Sequence, residues 1–329
     1  MNFAFTPDQL ALAQTVRDVL AAHCPPRALR TGRLPAWDRL AEVGFFGLLV
    51  PPEADGLGLG LTDALPALEE TGRACLPGPV VETAVAAPYL LPGLPKLASG
   101  EIRVAVLPPG AAFAPDADLA DLVVVARPGG ARLVSRDSVR LTPRPGADPC
   151  RPLFDVAYTG STPLERPLEP ALLRATVATA AQLIGVARRL LELSVEYART
   201  RRQFGAPIGS FQAVKHLLAD VAIAVSFAAP LVHRAAVSAD AQERDAPEPG
   251  GGDTAWRDAR TAKAAAGEAA VLAARSALQT HGAIGYTEEL DLRFWLARAW
   301  SLSAAYGGAA EHRAAVRAPV LAGDTRRYP

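Results

Sequence analysis

Two short polar segments stand out because each combines a glycine with side chains that can bind a charged ligand. Residues 201–205 read RRQFG at the end of a long helical pattern, and residues 279–282 read QTHG at the end of another. The planar fork of an arginine offers charged, directional donors, which suits the binding of an anion. Arginines in a last helical turn before a glycine also complement the helix dipole and cap the helix, and for the first segment alone this would be the better explanation. The presence of the second segment favours ligand contact.

Other residue types argue against several kinds of site. The three cysteines, Cys24, Cys75 and Cys150, are scattered without CxxC spacing, which predicts neither a disulfide framework nor a zinc site. Lys+Arg and Asp+Glu number 34 each, and this balance argues against a nucleic-acid-binding surface. The histidines lie on or near helical patterns without metal-ligand partners, so no metal site is predicted.

The elements that must position the two segments fall into three regions. Residues 1–98 read as an N-terminal helical domain that begins with a capping box, Thr6 as the cap and Gln9 after it. Residues 99–165 contain short β-branched runs bounded by Pro, Gly and Asp, typical of a reduced antiparallel β unit. Residues 166–329 return to apolar steps of three and four, which predicts a four-helix bundle. The fold class is therefore mainly α with a small β domain.

Three further expectations concern burial and location. The paired acids Glu69 and Glu70 are expected on solvated faces, and Trp295 and Trp300 in the core of the bundle. The sequence opens on a helix start, with no basic segment before an apolar run, and no uninterrupted apolar stretch is long enough to span a bilayer. These features predict a cytoplasmic protein with no membrane span.

With the order of helical domain, β unit and bundle, the two segments resemble the acyl-CoA dehydrogenase family. The resemblance covers nearly the whole chain and is strongest from about residue 184 to residue 313. It implies FAD bound across a subunit interface, an acyl-CoA substrate and an electron-transfer flavoprotein as acceptor. It also implies three kinds of contact to the cofactor: an arginine on the pyrophosphate, hydrogen bonds from amide side chains, and a close backbone approach at a glycine. The six residues implied to contact the cofactor are Arg201, Gln203, Phe204, Gln212, Gln279 and Gly282.

The same resemblance exposes a missing group. In the family a glutamate removes the α-proton of the thioester, and the β-hydrogen leaves as a hydride to the flavin. The position that matches the usual glutamate is Gly307, and the alternative family position matches Leu173, before Arg174. Neither residue can take a proton, and Glu311, one turn beyond Gly307, is only a weak substitute. The catalytic residue is therefore unknown at this point.

The β unit departs from the family as well. It has no tryptophan-containing strand and no threonine–glutamate–proline stretch, which in the family wrap the flavin ring. This combination resembles the short acyl-CoA dehydrogenase subunits that assemble with a homologous subunit as two-by-two heterotetramers, a type of hetero-oligomer often found in steroid or fatty acid degradation. It predicts a subunit of an FAD-dependent dehydrogenase that converts an acyl-CoA to a 2-enoyl-CoA, with the base supplied by the partner.

Two alternatives stay open from the sequence. The chain would be a degenerate, cofactor-free structural partner subunit if no flavin binds at any interface. It would be a flavin monooxygenase on the same fold if the glutamate is dispensable.

Overall fold

A computed structural model of the protein describes residues 4–127, 130–244 and 251–321. The N-terminal region is helical, and the Thr6 side chain accepts a hydrogen bond from the Gln9 N–H (3.2 Å) while the Gln9 side chain accepts from the Thr6 N–H (2.9 Å). This capping box confirms the predicted start. The helices of this region are α1 (Pro7–His23), α2 (Pro26–Leu29), α3 (Trp37–Glu42), α4 (Leu61–Arg73), a π-helical turn (Glu82–Ala86) and α5 (Ala87–Leu90).

In the described part of the next region, seven short strands form two sheets. They are β1 (Val104–Leu107), β2 (Ala114–Pro115), β3 (Leu122–Arg127), β4 (Gly130–Ser135), β5 (Val139–Arg144), β6 (Leu153–Tyr158) and β7 (Thr162–Pro163). One sheet has the order β1-β3-β4-β7 and the other β2-β6-β5. The prediction of an antiparallel unit is wrong for one pair, because β1 and β3 run parallel, with Val104 opposite Leu122. Residues 108–121 are long enough to carry the chain back for that crossover.

The C-terminal region is a helical bundle built around α6 (Glu169–Thr200). Helices α7 (Gln212–Arg244) and α8 (Gly251–His281) pack against α6, and α4 crosses α6 from the N-terminal region. Gly185 allows that crossing, since a Cβ there would lie 1.9 Å from the carbonyl oxygen of Glu69. The expected fourth helix is α9 (Leu292–Ala304), and a further helix, α10 (Ala309–Leu321), follows it. The break falls where Tyr306 and Gly307 adopt positive φ values of 54° and 99°.

The prediction that Glu69 and Glu70 lie on solvated faces is wrong. Both carboxylates are buried between α4 and its neighbours, where Glu69 pairs with Arg188 and Glu70 pairs with Arg17 at 2.7 Å. Burial raises the pKa of Glu69 to about 7, although the charge of Arg188 opposes that rise. The arginines reach over from α6 and α1, so the acids join three helices.

Among the residues that the structure describes, two helices are long and apolar enough to cross a membrane by length and composition alone. In α6, 89% of the most apolar stretch is buried, as befits the central helix of the bundle. In α7, only 28% of that stretch is buried, and Ile223 and Phe227 are 53% and 76% exposed. Helix α7 therefore presents an apolar outer face.

Candidate active site

A cavity of about 760 Å³ lies between the β unit and the bundle. The loop after β1, Pro108–Pro109–Gly110, forms one wall, and Arg151 before β6 forms part of another. Helix α8 contributes Trp256 and Arg260, which stack with the guanidinium 5.1 Å from the ring centre. The cavity is thus bounded by all three regions of the chain and mixes aromatic with charged side chains.

One wall of the cavity carries a buried polar network. The Tyr306 hydroxyl donates to the carboxylate of Glu82 at 2.8 Å, and Arg151 lies 3.9 Å from the same carboxylate. Burial, together with the charge of Glu82, raises the pKa of Tyr306 well above its ordinary value, so the phenol stays protonated. Glu82 lies in the π-helical turn, a type of irregularity that is frequent at functional sites.

Gly307, the position expected to hold a glutamate, lies in the cavity wall. A Cβ built on Gly307 would lie 2.8 Å from Nε2 of His312 and 3.3 Å from Oε2 of Glu311. Burial and the nearby charge of Lys263 lower the pKa of His312, and Nε2 is buried without a partner among the described residues. The side chains of α10 therefore converge on the place where the expected base is missing.

Lys263 of α8 fixes the turn that carries Gly307. Its amine donates to the carbonyl oxygens of Ser303 and Gly307, both at 3.0 Å. Burial, aided by the charge of Arg151, lowers the pKa of Lys263 to about 7. Near neutral pH the residue is therefore partly an uncharged amine whose two hydrogens are both used.

A buried ion pair lies behind the cavity. Arg298 of α9 donates from Nε to Asp148 at 2.5 Å and from Nη1 to the carbonyl of Leu76 at 2.7 Å. Both side chains are almost completely enclosed, at 3% and 0% exposure. Through these two bonds Arg298 joins the bundle to the β unit and to the N-terminal region. The bonds therefore help to fix the positions of the cavity walls relative to one another.

The predicted cofactor-binding segment forms an exposed hairpin between α6 and α7. Strands β8 (Arg202–Gln203) and β9 (Ala206–Pro207) pair, and the tip is Phe204–Gly205 with positive φ values of 51° and 80°. Two consecutive positive φ values suit a tight two-residue hairpin. The Phe204 ring is 92% exposed and meets Phe211 only edge-on, at 6.1 Å between ring centres.

The ends of α6 and α8 meet beside this hairpin. Tyr197 stacks on His281 with ring centres 4.3 Å apart, and Arg201 follows Tyr197 by one turn while Gly282 follows His281. We define the cofactor face as the six predicted residues. Gly282 is half-buried and the others are exposed: Arg201, Gln203, Phe204, Gln212 and Gln279. None of the six lines the cavity.

The cofactor face combines a cation, an aromatic ring and open backbone. The Arg201 side chain forms no ion pair with the residues the structure describes, Phe204 presents an open ring, and Gly282 has no atom within 4 Å of where a Cβ would be. A cation, an aromatic surface and open backbone fit a ligand that is anionic, aromatic and extended. The roles of the six residues remain a prediction.

Several cavity residues escaped the sequence analysis. Trp300 was expected in the core but is 43% exposed and lines the cavity, while Trp295 is buried as expected. Glu82 and Arg151 gave no signal, because their contacts join positions far apart in the chain. Lys263 offered the one available clue, as one of only three lysines in an arginine-rich chain.

Comparisons with known proteins agree with this architecture. The family profile described as "Acyl-CoA dehydrogenase, N-terminal domain" matches residues 6–113, and "Acyl-CoA dehydrogenase, C-terminal domain" matches residues 169–319. The chain is 36% identical to acyl-CoA dehydrogenase IpdE2 of Mycobacterium tuberculosis, over 88% of this chain and 89% of that protein.

Two solved structures are similar in fold. A chain of the ChsE4-ChsE5 complex from Mycobacterium tuberculosis matches with a TM-score of 0.81 at 22% identity. The match covers 100% of this chain and 100% of that one. A steroid ACAD variant named Tcur3481-Tcur3483 gives a TM-score of 0.82 at 24% identity, over 96% of this chain and 98% of that one.

Proposed function

The chain belongs to the acyl-CoA dehydrogenase family of oxidoreductases, and from this premise we propose that it is one subunit of an FAD-dependent enzyme that oxidises an acyl-CoA to a 2-enoyl-CoA. The observation that carries the proposal is the cavity wall at Gly307. The family's position for a base faces a cavity of substrate size there, yet holds a residue that cannot take a proton. The chain therefore keeps the fold of the family but has no proton-accepting side chain at this position.

In this proposal a homologous partner subunit supplies the base for the oxidation. Support comes from the two faces that this chain leaves open, the apolar outer face of α7 and the cofactor face. Exposed apolar surface of this kind is typical of a subunit contact. The name of the similar ChsE4-ChsE5 complex also describes two different chains together.

In the proposed assembly, FAD when bound would accept the hydride from the β-carbon. This chain's own contribution is binding and orientation. Arg201 would neutralise the pyrophosphate, and Gln203, Gln212 and Gln279 would donate or accept hydrogen bonds. Phe204 would cover the cofactor from the partner's side, and Gly282 would allow close approach because it lacks a Cβ.

The proposed substrate is an acyl-CoA thioester, with an electron-transfer flavoprotein as acceptor, in the cytoplasm. A steroid-derived acyl group is favoured by the printed description of one similar structure as a steroid ACAD. The mixed lining of the cavity, with Trp256 and Trp300 beside Arg151 and Arg260, suits a bulky group that carries oxygen.

Co-expression with a homologous dehydrogenase subunit that has an intact glutamate tests the proposal. We expect a complex with flavin absorbance that forms 2-enoyl-CoA, and loss of both on Arg201→Ala. Arg140→Ala is the matched control, since Arg140 is an exposed arginine on β5 away from the cofactor face. A complex without flavin would favour the cofactor-free partner, and a requirement for reduced flavin and oxygen would favour a monooxygenase.

A further inference from the structure

The guanidinium of Arg260 lines the cavity and lies over the ring of Trp256, 5.1 Å from the ring centre. Both side chains belong to α8 and both are half-buried. Stacking on an aromatic ring orients a guanidinium and leaves the donors at the edge of its plane accessible. Arg260 forms no hydrogen bond or ion pair with the residues that the structure describes. The stacked guanidinium is therefore free to bind a ligand in the cavity.

Two of the acidic side chains that line the cavity already face other arginines. Glu82 lies 3.9 Å from Arg151, which is the second arginine of the lining. Asp148 accepts a hydrogen bond from Arg298 at 2.5 Å, and both of these side chains are almost completely enclosed. The charges of Glu82 and Asp148 are therefore balanced without Arg260.

The third acid of the lining, Glu311, lies on the side of the cavity where Lys263 holds the turn at Gly307. Its Oε2 is 3.3 Å from the Cβ position on Gly307. Burial and the charge of Arg151 lower the pKa of Lys263, and the nearby charge of Glu311 opposes this effect. Glu311 therefore acts on the amine of Lys263. Among the described residues, Arg260 is the charged group of the lining that is left without an opposite charge.

Arg260 also lies close to the position where an acyl chain would react. Burial lowers the pKa of His312, and the charges of Lys263 and Arg260 add to this effect. Nε2 of His312 is 2.8 Å from the Cβ position on Gly307, which matches the family's position for the base. A base must come within reach of the carbon next to the thioester carbonyl. In a CoA thioester the long pantetheine arm separates that carbon from the phosphates, so an anion that reaches Arg260 belongs to the acyl group.

We propose that Arg260, oriented by Trp256, is a specificity-determining residue that binds a free carboxylate on the acyl group of the substrate. A carboxylate accepts two parallel hydrogen bonds from a guanidinium fork, which gives both charge pairing and a fixed geometry. The ring of Trp256 offers apolar contact to the chain that carries the carboxylate. The inference rests on the proposed acyl-CoA substrate and narrows its class to thioesters with a second, free carboxyl group.

Binding of two matched thioesters to the full-length chain tests this role by isothermal titration calorimetry. Adipoyl-CoA carries a carboxylate where hexanoyl-CoA has its terminal methyl group. We expect the wild-type chain to bind adipoyl-CoA about 10-fold more tightly, the size of a hydrogen bond to a charged group. Arg260→Gln should lose this preference and bind hexanoyl-CoA as the wild type does, which also shows that the variant is folded. Arg260→Lys should keep part of the preference.

Arg275→Gln is the matched control, because Arg275 is also an arginine of α8 that stacks on a tryptophan, Trp300 at 5.5 Å, but does not line the cavity. It should keep the wild-type preference. Equal affinities of the wild type for the two thioesters would overturn this inference alone. So would an equal loss of both in Arg260→Gln, since Arg260 would then contact the CoA part. Binding of neither thioester by the wild type would contradict the proposed acyl-CoA substrate as well.

Discussion

The imidazole of His312 occupies the space into which a side chain on Gly307 would grow, with Nε2 2.8 Å from the Cβ position. Contacts shorter than about 3 Å at a Cβ require something to move, and here the neighbour is a buried ring rather than a flexible chain end. Gly307 also has a φ of 99°, a value that side-chain-bearing residues rarely adopt. The packing and the backbone conformation at residue 307 are therefore unfavourable for the glutamate that the family has at this position.

Gly307→Glu should for this reason destabilise the protein rather than simply restore an acid. We expect a loss of about 2 kcal/mol or more in the free energy of unfolding, from backbone strain together with the clash. Urea denaturation measures it, with Gly93→Ala as control because a Cβ on Gly93 meets open space. Adding His312→Ala should recover the part due to the clash. Strictly additive effects in this double-mutant cycle would contradict the proposed contact.

Lys263 should make stability depend on pH in the alkaline range. Its pKa is lowered from 10.5 to about 7 in the folded protein, so between these values the unfolded chain binds a proton that the folded chain does not. Stability therefore rises with pH across this window, by at most about 1.4 kcal/mol per pH unit. The difference between wild type and Lys263→Met, followed by denaturation from pH 7 to 10, should show this rise.

Lys96→Met provides the comparison for the alkaline experiment. Lys96 is an exposed lysine that pairs with Glu101, so the Lys96→Met difference should lack the upward trend. A flat difference for Lys263→Met as well would mean that the Lys263 amine keeps its ordinary pKa.

The ion pair between Arg298 and Asp148 should be costly to break from one side only. Arg298→Met leaves a carboxylate buried without its partner, which we expect to cost about 3–5 kcal/mol of unfolding free energy. The double variant with Asp148→Asn should recover part of this loss. Arg39→Gln, which removes an exposed ion pair with Glu42, should leave the denaturation midpoint essentially unchanged. Equal midpoints for Arg298→Met and Arg39→Gln would contradict the structural role.

The features that depend on neighbouring residues could be predicted from the sequence. The capping box at Thr6, the long helices and the small β domain follow from caps and apolar periodicity. The absence of an acid at Gly307 was visible through family resemblance. The predictions that were wrong concern contacts between positions far apart in the chain. Glu69 is buried with Arg188 of α6 as its partner, and β1 pairs parallel to β3 through a crossover. The cavity residues Glu82 and Arg151 belong to the same class, since neither has a neighbour in sequence that reveals its partner.

The exposed ring of Phe204 gives the sharpest test of the cofactor face. At 92% exposure it contributes little to the stability of the single chain, so Phe204→Ala should leave the melting temperature of that chain close to wild type. In the proposed complex the same ring becomes buried, and aromatic residues at such positions often carry 2 kcal/mol or more of binding energy, about a 30-fold effect. The complex of Phe204→Ala with its partner should therefore lose flavin on dilution at a much higher protein concentration than wild type. Leu57→Ala, an exposed apolar residue at 60% in the N-terminal region, should not change flavin retention. Retention equal to wild type in Phe204→Ala would place the flavin contact elsewhere on the chain.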